Sequence, residues 1–409
     1  MNCAFIKRRT LAKNAIRAAP TFAKRMKTMT ESHTPIPAAL AQIIISMTPR
    51  IRHSPFFNAT VRDGVSHFSV YNKMLMPTSY GDLAAELHRL MHGVAMWDVG
   101  VERQVEVSGP DADRLVQYLS ARDLSKMKAG QGKYVAMCDH QGRLLNDPIL
   151  LKLSDRYWFS LADSDMLLWV RAIAAEGGYN VDVCEPDVSP LAIQGPKAED
   201  VVAKMFGESI RSIRYFGCIE TTLAGIPIVL CRSGWSKQGG FELFLRDGAK
   251  ADALWEMVKA AGQEYGIGPG APNHTERVES ALLSWGGDTT PESNPFEANM
   301  AKFVDVDTPV NYIGKAALQK VVATGPKRLF VGLVLDGNAP SDWPLGERVL
   351  VTAGGRDVGT MSAVVYSPRL GRTIGLAQIE RQTVEANARL QVHTPKGVQG
   401  AVLAPIPFA

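Results

Sequence analysis

Hydrophobic and polar positions along this chain alternate in short blocks, first with the period of a strand and then with that of a helix. Residues 103–107 alternate with period two and end at a Ser-Gly-Pro turn, which predicts a strand. From Asp111 onward, Leu115 and Leu119 follow helical spacing behind an acidic first turn. Further strands are predicted at residues 134–138, 144–153 (interrupted by Pro148), 157–161, 191–194, 218–223, 226–230 and 241–245, and further helices at 165–176, 197–206 and 251–261.

Most of these strands are joined by short turns and not by crossover helices, which indicates an α+β fold. Beyond residue 327 helices nearly vanish, and strands between glycine-rich turns indicate a small barrel or sandwich. Its predicted strands are residues 329–335, 348–352, 358–365, 374–379 and 390–393. We therefore expect an α+β region of two intertwined subdomains at 35–324 and an all-β domain at 325–409.

Charge is distributed unevenly along the chain. The 409 residues include 45 Lys and Arg and 41 Asp and Glu, a net charge of +4. Eight of the basic residues and none of the acidic ones lie in residues 1–28, which leaves 37 basic against 41 acidic residues. We therefore expect no nucleic-acid binding by the folded part. Residues 1–34 are interpreted as a basic, disordered segment, either a targeting sequence or an extension from an upstream start codon.

The longest apolar run, residues 38–47, is at most a short helix and is well below the roughly 20 residues that span a membrane. No membrane association is predicted, and the expected location is cytoplasmic, or mitochondrial if the basic segment is a transit peptide. The five cysteines have neither a C-x-x-C pair nor metal spacing with histidine, so we expect buried thiols, a reducing compartment and no metal site. Phosphate-loop, H-E-x-x-H and G-x-S-x-G motifs are also absent from the sequence.

Two acidic residues interrupt apolar strands. Glu242 follows Gly239 and Gly240, which allow the backbone to approach another group closely. A carboxylate inside such a strand is paired, bonded to a ligand or turned to solvent, and periodicity alone slightly favours solvent. Asp147 precedes Pro148, which cannot donate to a sheet ladder, so we expect an edge or a bulge, a feature common beside active sites. A turn cap is an equally good interpretation of Asp147.

Residues 235–244 read W-S-K-Q-G-G-F-E-L-F, which resembles the signature segment of the folate-dependent aminomethyltransferase family, the T-protein of glycine cleavage and its relatives. Other matches in the family's order are Tyr134 thirteen residues before Asp147, the Arg-x-Glu sequence at Arg277, and residues 294–297, 312–318, 367–368 and 374–377. From about residue 50 to the C-terminus, the resemblance implies a multi-domain, aminomethyltransferase-like folate-binding fold with a C-terminal barrel.

Within this family, several segments resemble the dimethylsulfoniopropionate demethylase branch. They are residues 50–56, 70–77, 97–99, 102–106, 122–126, 162–165 and 235–240. The resemblance implies a methyltransferase that moves a methyl group from a sulfonium to N5 of tetrahydrofolate. Its expected partners are therefore a small-molecule methyl donor and the cofactor tetrahydrofolate.

The same resemblance implies roles for particular residues. Tyr134, Asp147, Glu242 and Arg277 would bind the cofactor: the carboxylates would hydrogen bond to the pterin, the tyrosine would stack on it or bond to it, and the arginine would pair with the folate carboxylates. Asp147, or a linked water, would also take the proton that N5 loses. Trp235 would offer an aromatic face to the cationic substrate, so it is the second predicted catalytic residue. Ordinary core packing for Trp235 and a surface ion pair for Arg277 remain alternatives.

Phe244 is a further predicted substrate-binding residue, and it departs from the related demethylases, which have tyrosine two residues after the glutamate. Without that hydroxyl the substrate carboxylate lacks one partner, so another sulfonium or a methylated amine could be the donor. Two other functions stay open. One is the glycine-cleavage aminomethyltransferase, which needs a lipoyl carrier protein as partner. The other is a folate-binding protein without transfer activity, for which the expected K-G-C-Y-x-G-Q-E segment is missing.

Overall fold

The computed structural model describes residues 48–337, 348–394 and 397–409. The predicted basic segment at 1–34 and the short helix at 38–47 lie outside the described residues. The α-helices are α1 (Phe57–Arg62), α2 (Leu83–His92), α3 (Ala112–Leu119), α4 (Met166–Glu176), α5 (Ala198–Phe206), α6 (Ala251–Gly262), α7 (His274–Glu279), α8 (Lys315–Thr324) and α9 (Arg381–Glu385).

The strands before the barrel are β1 (His67–Tyr71), β2 (Met74–Ser79), β3 (Ala95–Asp98), β4 (Gln104–Ser108), β5 (Gln131–Tyr134), β6 (Met137–Cys138), β7 (Leu144–Asn146), β8 (Ile149–Lys152), β9 (Arg156–Ser160), β10 (Asp182–Cys184), β11 (Ser189–Gln194), β12 (Cys218–Leu223), β13 (Ile226–Cys231), β14 (Gly240–Leu245) and β15 (Gly268–Gly270). They form a five-stranded sheet in the order β10-β4-β9-β8-β5 and a six-stranded sheet in the order β12-β13-β14-β11-β3-β15. Two hairpins, β1–β2 and β6–β7, complete this region.

Each large sheet carries helices on its outer surface. On the six-stranded sheet, Leu243 of β14 is buried in one cluster with Val201 of α5 and Trp255 of α6. On the five-stranded sheet, Phe159 of β9 is buried with Leu115 of α3. Each such side chain contributes roughly 1.5–3 kcal/mol when it is fully buried, so these helices fix which face of each sheet points outward.

The inner faces of the two sheets meet in a separate apolar layer. Trp158 of β9 and Phe244 of β14 pack with ring centroids 6.1 Å apart, in a cluster that includes Leu151 and Val229. Because side chains alternate along a strand, Glu242 shares this inner face with Phe244 and is only 5% exposed. The solvent-facing alternative for Glu242 is therefore wrong, since the second sheet covers this face.

The C-terminal part is a closed antiparallel barrel in the order β16-β19-β18-β17-β20-β21. Its strands are β16 (Arg328–Leu335), β17 (Val349–Ala353), β18 (Arg356–Ser367), β19 (Arg372–Glu380), β20 (Leu390–Thr394) and β21 (Gly397–Ala404). The predicted α+β fold with an all-β C-terminal domain is thus confirmed. Of the two architectures predicted for that domain, barrel and sandwich, the barrel is correct. The division at residue 325 stays a prediction.

Several expectations are corrected by the structure. The strands predicted at 134–138 and 144–153 are each divided in two, while β1, β2, α2 and β3 were not predicted. Cys138, Cys218 and Cys231 are free and buried, but Cys184 is exposed because it lies on the edge strand β10.

Among the described residues, no helix is long and apolar enough to cross a bilayer. In the same residues, no group of three or more His, Cys, Asp or Glu side chains is placed to hold a metal ion.

One of the contacts between the barrel and the rest of the protein is made by Glu279, the last residue of α7. Its carboxylate, 2% exposed, accepts hydrogen bonds from the Ser367 hydroxyl of β18 and, at 2.7 Å, from Arg369. Ser367 is fully buried, so its hydroxyl depends on this partner.

Glu279→Ala should lower the midpoint of thermal unfolding by about 3–5 °C, because the buried Ser367 hydroxyl loses a charged acceptor. Arg369→Ala is the matched control. Its side chain is 42% exposed, and a partly solvated ion pair contributes little. Differential scanning fluorimetry measures both, and equal shifts for the two variants would contradict the importance of the Ser367 contact.

Candidate active site

Asp147 lies where the chain passes from one sheet to another. β7 ends one residue earlier and pairs with β6, whereas β8 begins at Ile149 and enters the five-stranded sheet. Pro148 occupies the break, as the sequence predicts for a residue without a backbone N–H. The break turns the Asp147 side chain inward, where it is 8% exposed and bonded to Tyr134 of the neighbouring strand.

Tyr134 and Asp147 form a direct pair. The Tyr134 hydroxyl donates to Oδ2 of Asp147, while Oδ1 is buried without a hydrogen-bond partner among the described residues. Burial raises the pKa of Asp147 to about 7, and the hydrogen bond from Tyr134 opposes this rise. Asp147 can therefore hold or release a proton near neutral pH, and its second oxygen remains available to a ligand.

Glu242 has a similar environment on the inner face of β14. Its carboxylate accepts a hydrogen bond from the Ser233 hydroxyl. Burial raises the pKa of Glu242, and the bond from Ser233 opposes the shift. Since Ser233 lies two residues before Trp235, this bond connects the start of the loop of residues 233–239, here called the tryptophan loop, to the carboxylate.

A third carboxylate, Glu102, was not predicted. It lies on the connection from β3 to β4, where the chain crosses from the six-stranded to the five-stranded sheet. Ser160 donates to its Oε2 at 3.4 Å. Burial raises the pKa of Glu102 well above its ordinary value, and the charges of Glu242 and Asp147 raise it further. Glu102 therefore lies within electrostatic range of both Glu242 and Asp147, and the available signal in the sequence was the matched segment 102–106.

Two tyrosines that the sequence did not single out border this region. Burial raises the pKa of Tyr71, and the charges of Glu102 and Asp147 add to it. The pKa of Tyr215 is raised by burial and then by Glu242, although the residue is 63% exposed. Tyr215 therefore lies within electrostatic range of Glu242.

Arg277 forms a buried ion pair and not a surface one. Its Nη2 donates to both carboxylate oxygens of Asp288, at 2.9 and 3.0 Å, and the two side chains are 8% and 0% exposed. Nη1 is buried and lacks a partner among the described residues. The charge of Asp288 also raises the pKa of Asp147, so this pair lies within electrostatic range of Asp147. The surface ion pair considered for Arg277 is therefore wrong.

Trp235 and Phe244 have different environments. Trp235 is half-buried on the loop of residues 233–239, which starts at the Ser233 contact to Glu242. Phe244 is 1% exposed and packs against Trp158 between the sheets. The structure thus gives Phe244 a packing position on the same face as Glu242. The substrate contacts of Trp235 and Phe244 stay predictions.

With a two-sheet α+β region, a C-terminal barrel and buried acids, the chain can be compared with known proteins. The sequence profile of the GCVT N-terminal domain matches residues 56–308, and that of the glycine cleavage T-protein C-terminal barrel domain matches residues 328–409. The chain belongs to the glycine cleavage T-protein family and is an enzyme of the one-carbon transferase class.

Individual relatives refine this assignment. The chain is 42% identical over 354 residues to the dimethylsulfoniopropionate demethylase of Ruegeria pomeroyi. The aligned residues are 86% of this chain and 95% of that protein. It is 30% identical over 332 residues to an aminomethyltransferase of Saccharopolyspora erythraea, and this alignment covers 80% of the chain and 89% of the relative. The crystal structure of the glycine cleavage system aminomethyltransferase T from Bartonella henselae has the same fold, with a TM-score of 0.77, 20% identity and coverage of 88% and 98%. The resemblance to this family and to its demethylase branch is confirmed.

Asp147→Asn should change the dependence of stability on pH. The folded protein keeps the Asp147 proton up to about pH 7, whereas the unfolded chain releases it near pH 4. Between these values the folded state binds more protons, so the Asp147 contribution to stability falls as pH rises and levels off above pH 7. Thermal unfolding from pH 4 to 8 should therefore show the wild-type midpoint falling relative to the Asn variant.

Tyr134→Phe is the companion variant for this measurement. It removes the hydrogen bond that favours the ionised form, so the fall should extend to higher pH than in wild type. A pH-independent difference between wild type and Asp147→Asn would contradict the raised pKa.

Proposed function

We propose that the protein is a tetrahydrofolate-dependent methyltransferase that moves a methyl group from dimethylsulfoniopropionate, or a similar sulfonium, to N5 of tetrahydrofolate. The observation that carries the proposal is the 42% identity to a dimethylsulfoniopropionate demethylase over 95% of that protein. A cytoplasmic location is part of the proposal, in keeping with free thiols at Cys138, Cys184, Cys218 and Cys231.

The buried polar atoms of the site suit a folate. Oδ1 of Asp147, which has no partner in the described residues, can accept a hydrogen bond from a pterin N–H, and the Glu242 carboxylate can accept others. Nη1 of Arg277 can pair with a folate carboxylate. Tetrahydrofolate, when bound, supplies the nucleophilic nitrogen that receives the methyl group.

The protein's own contribution is positioning and charge. A sulfonium leaves as a neutral thioether, so no acid is needed to activate it, and alignment of the two reactants contributes most to the rate. Buried carboxylates and the ring of Trp235 suit a cation that has no hydrogen-bond donor. Asp147, with a pKa of about 7, takes up the proton that the acceptor nitrogen loses.

A second candidate function is that of a glycine-cleavage aminomethyltransferase. It is supported by the relative that is 30% identical and carries this name. This reaction would require a lipoyl carrier protein as partner and would release ammonia, whereas the demethylase reaction requires only two small molecules.

The deciding experiment uses the purified protein with tetrahydrofolate and dimethylsulfoniopropionate, without any carrier protein. We expect equal amounts of methyl-tetrahydrofolate and thioether, measured by mass spectrometry. Parallel reactions with other sulfonium and quaternary ammonium compounds define the donor. Transfer that occurs only from an aminomethylated lipoyl protein, with ammonia released, would support the second function and overturn the first.

Asp147→Asn and Glu242→Gln should each weaken folate binding roughly tenfold, because a charged acceptor for the pterin is lost while the shape is kept. Trp235→Ala should instead raise the KM of the methyl donor with little effect on the Kd of folate. Fluorescence titration gives the Kd and initial rates give the KM.

Phe244→Leu is the matched control on the inner face of β14. As a packing residue it should lower the thermal midpoint and leave both constants near their wild-type values. A selective rise in the donor KM of this variant would assign Phe244 to the substrate, and unchanged folate binding by both acid variants would exclude their proposed role.

A further inference from the structure

The loop that carries Trp235 is fastened to a side chain far along the sequence. Oε1 of Glu276, on α7, accepts the backbone N–H of Lys237 at 2.9 Å and Nε2 of Gln238 at 3.3 Å. Glu276 is 1% exposed, so its carboxylate is removed from solvent. A carboxylate thus reaches from the helix of Arg277 to the loop of residues 233–239.

Glu276 is itself held in place. Its backbone N–H donates to the Asn273 side chain at 3.1 Å, and the Ser280 hydroxyl donates to its Oε1 at 2.9 Å. The helix cap therefore fixes the start of α7, and the serine fixes the carboxylate. The loop meets an acceptor whose position is already set.

A second buried side chain holds the other part of the loop. Gln194, fully buried at the end of β11, accepts from the Ser236 hydroxyl at 2.8 Å and donates to the Ser233 carbonyl at 3.1 Å. A Cβ on Gly234 would lie 2.1 Å from Nε2 of Gln194, so only glycine allows this approach. Trp235 is thus flanked by residues bound to Gln194 and followed by residues bound to Glu276.

Burying a carboxylate to bind a backbone N–H and a side-chain amide costs free energy, since an apolar contact would avoid the desolvation of a charge. The loop belongs to neither sheet, so the fold does not need this bond to complete a ladder. Hydrogen bonds donated to a carboxylate do, however, restrict geometry more than apolar packing does. This arrangement is expected where the position of the loop matters to function.

We propose that Glu276 is a positioning residue for Trp235 and thereby for recognition of the cationic methyl donor, with Gln194 as the second anchor. The proposal rests on the function proposed above, in which Trp235 faces that cation. Glu276 acts only through the loop. Its loss is therefore expected to affect the donor more than the folate. Of the predicted folate ligands, Asp147 and Tyr134 lie on other elements, Glu242 lies on β14, and Arg277 is held separately by Asp288.

The first test measures the rigidity of the loop and does not depend on enzyme activity. Hydrogen–deuterium exchange of residues 233–239 should be faster in Glu276→Ala than in wild type by roughly tenfold at the Lys237 amide, because its acceptor is lost. Glu276→Gln keeps an acceptor oxygen at the same reach and should restore wild-type exchange. Glu276→Asp, which keeps the charge but is one methylene shorter, should behave like the alanine variant and replaces it if the latter does not fold.

The second test separates the substrates. Glu276→Ala should raise the KM of dimethylsulfoniopropionate about tenfold, leave the Kd of tetrahydrofolate within about twofold, and be rescued by Glu276→Gln. Glu279→Ala, three residues along the same helix, should lower thermal stability without changing loop exchange or the donor KM.

The two proposals fail in different ways. If wild-type protein makes no methyl-tetrahydrofolate from any sulfonium, the proposed function fails and with it the role in donor recognition, while the exchange data still decide whether Glu276 holds the loop. Unchanged exchange in both Glu276→Ala and Glu276→Asp overturns the positioning role. Equal losses of donor and folate affinity also overturn it.

Discussion

The candidate site depends on three carboxylates with raised pKa values: Glu242 between the two β-sheets, Asp147 at the break between β7 and β8, and Glu102 on the connection from one sheet to the other. Desolvation disfavours their charged forms, and at Glu102 the charges of Glu242 and Asp147 add to this cost. Each acid receives a hydrogen bond from one hydroxyl: Tyr134 to Asp147, Ser233 to Glu242 and Ser160 to Glu102. A hydroxyl can donate to an ionised carboxylate or accept from a protonated one, so the site tolerates both states. Such a region suits a ligand with hydrogen-bond donors beside a positive charge.

The two-sheet arrangement provides this enclosure. Helices cover the outer faces with ordinary apolar clusters, which leaves the inner faces to meet each other. The chain crosses between the sheets beside Glu102 and breaks its strand at Pro148, next to Asp147, so each irregularity carries one of the acids. Helix α7, six residues long, then connects three parts of the molecule. Glu276 holds the tryptophan loop, Arg277 pairs with Asp288, and Glu279 bonds to the barrel.

Much of this organisation could be predicted from the sequence, because it depends on local chemistry. Pro148 cannot donate a hydrogen bond, so the strand break beside Asp147 was foreseeable. The close approach predicted at Gly239 and Gly240 occurs at Gly240, where a Cβ would lie 2.3 Å from the carbonyl oxygen of Ile193. The all-β C-terminal domain followed from the disappearance of helical spacing, which left barrel and sandwich as alternatives. Family membership followed from separated motifs in the right order.

The burial, the partners and the pKa shifts of the site residues could not be predicted from the sequence and were decided by the tertiary structure. A period of two shows that Glu242 and Phe244 share a face, but it does not show that another sheet covers that face. The partner of Arg277, the proximity of Glu102 to two other acids and the raised pKa of Asp147 all depend on residues distant in sequence. The sequence by itself determined the types of element, their breaks and the family. Only the packing of one sheet on the other decided which polar groups lost water, and desolvation is what makes these carboxylates chemically distinctive.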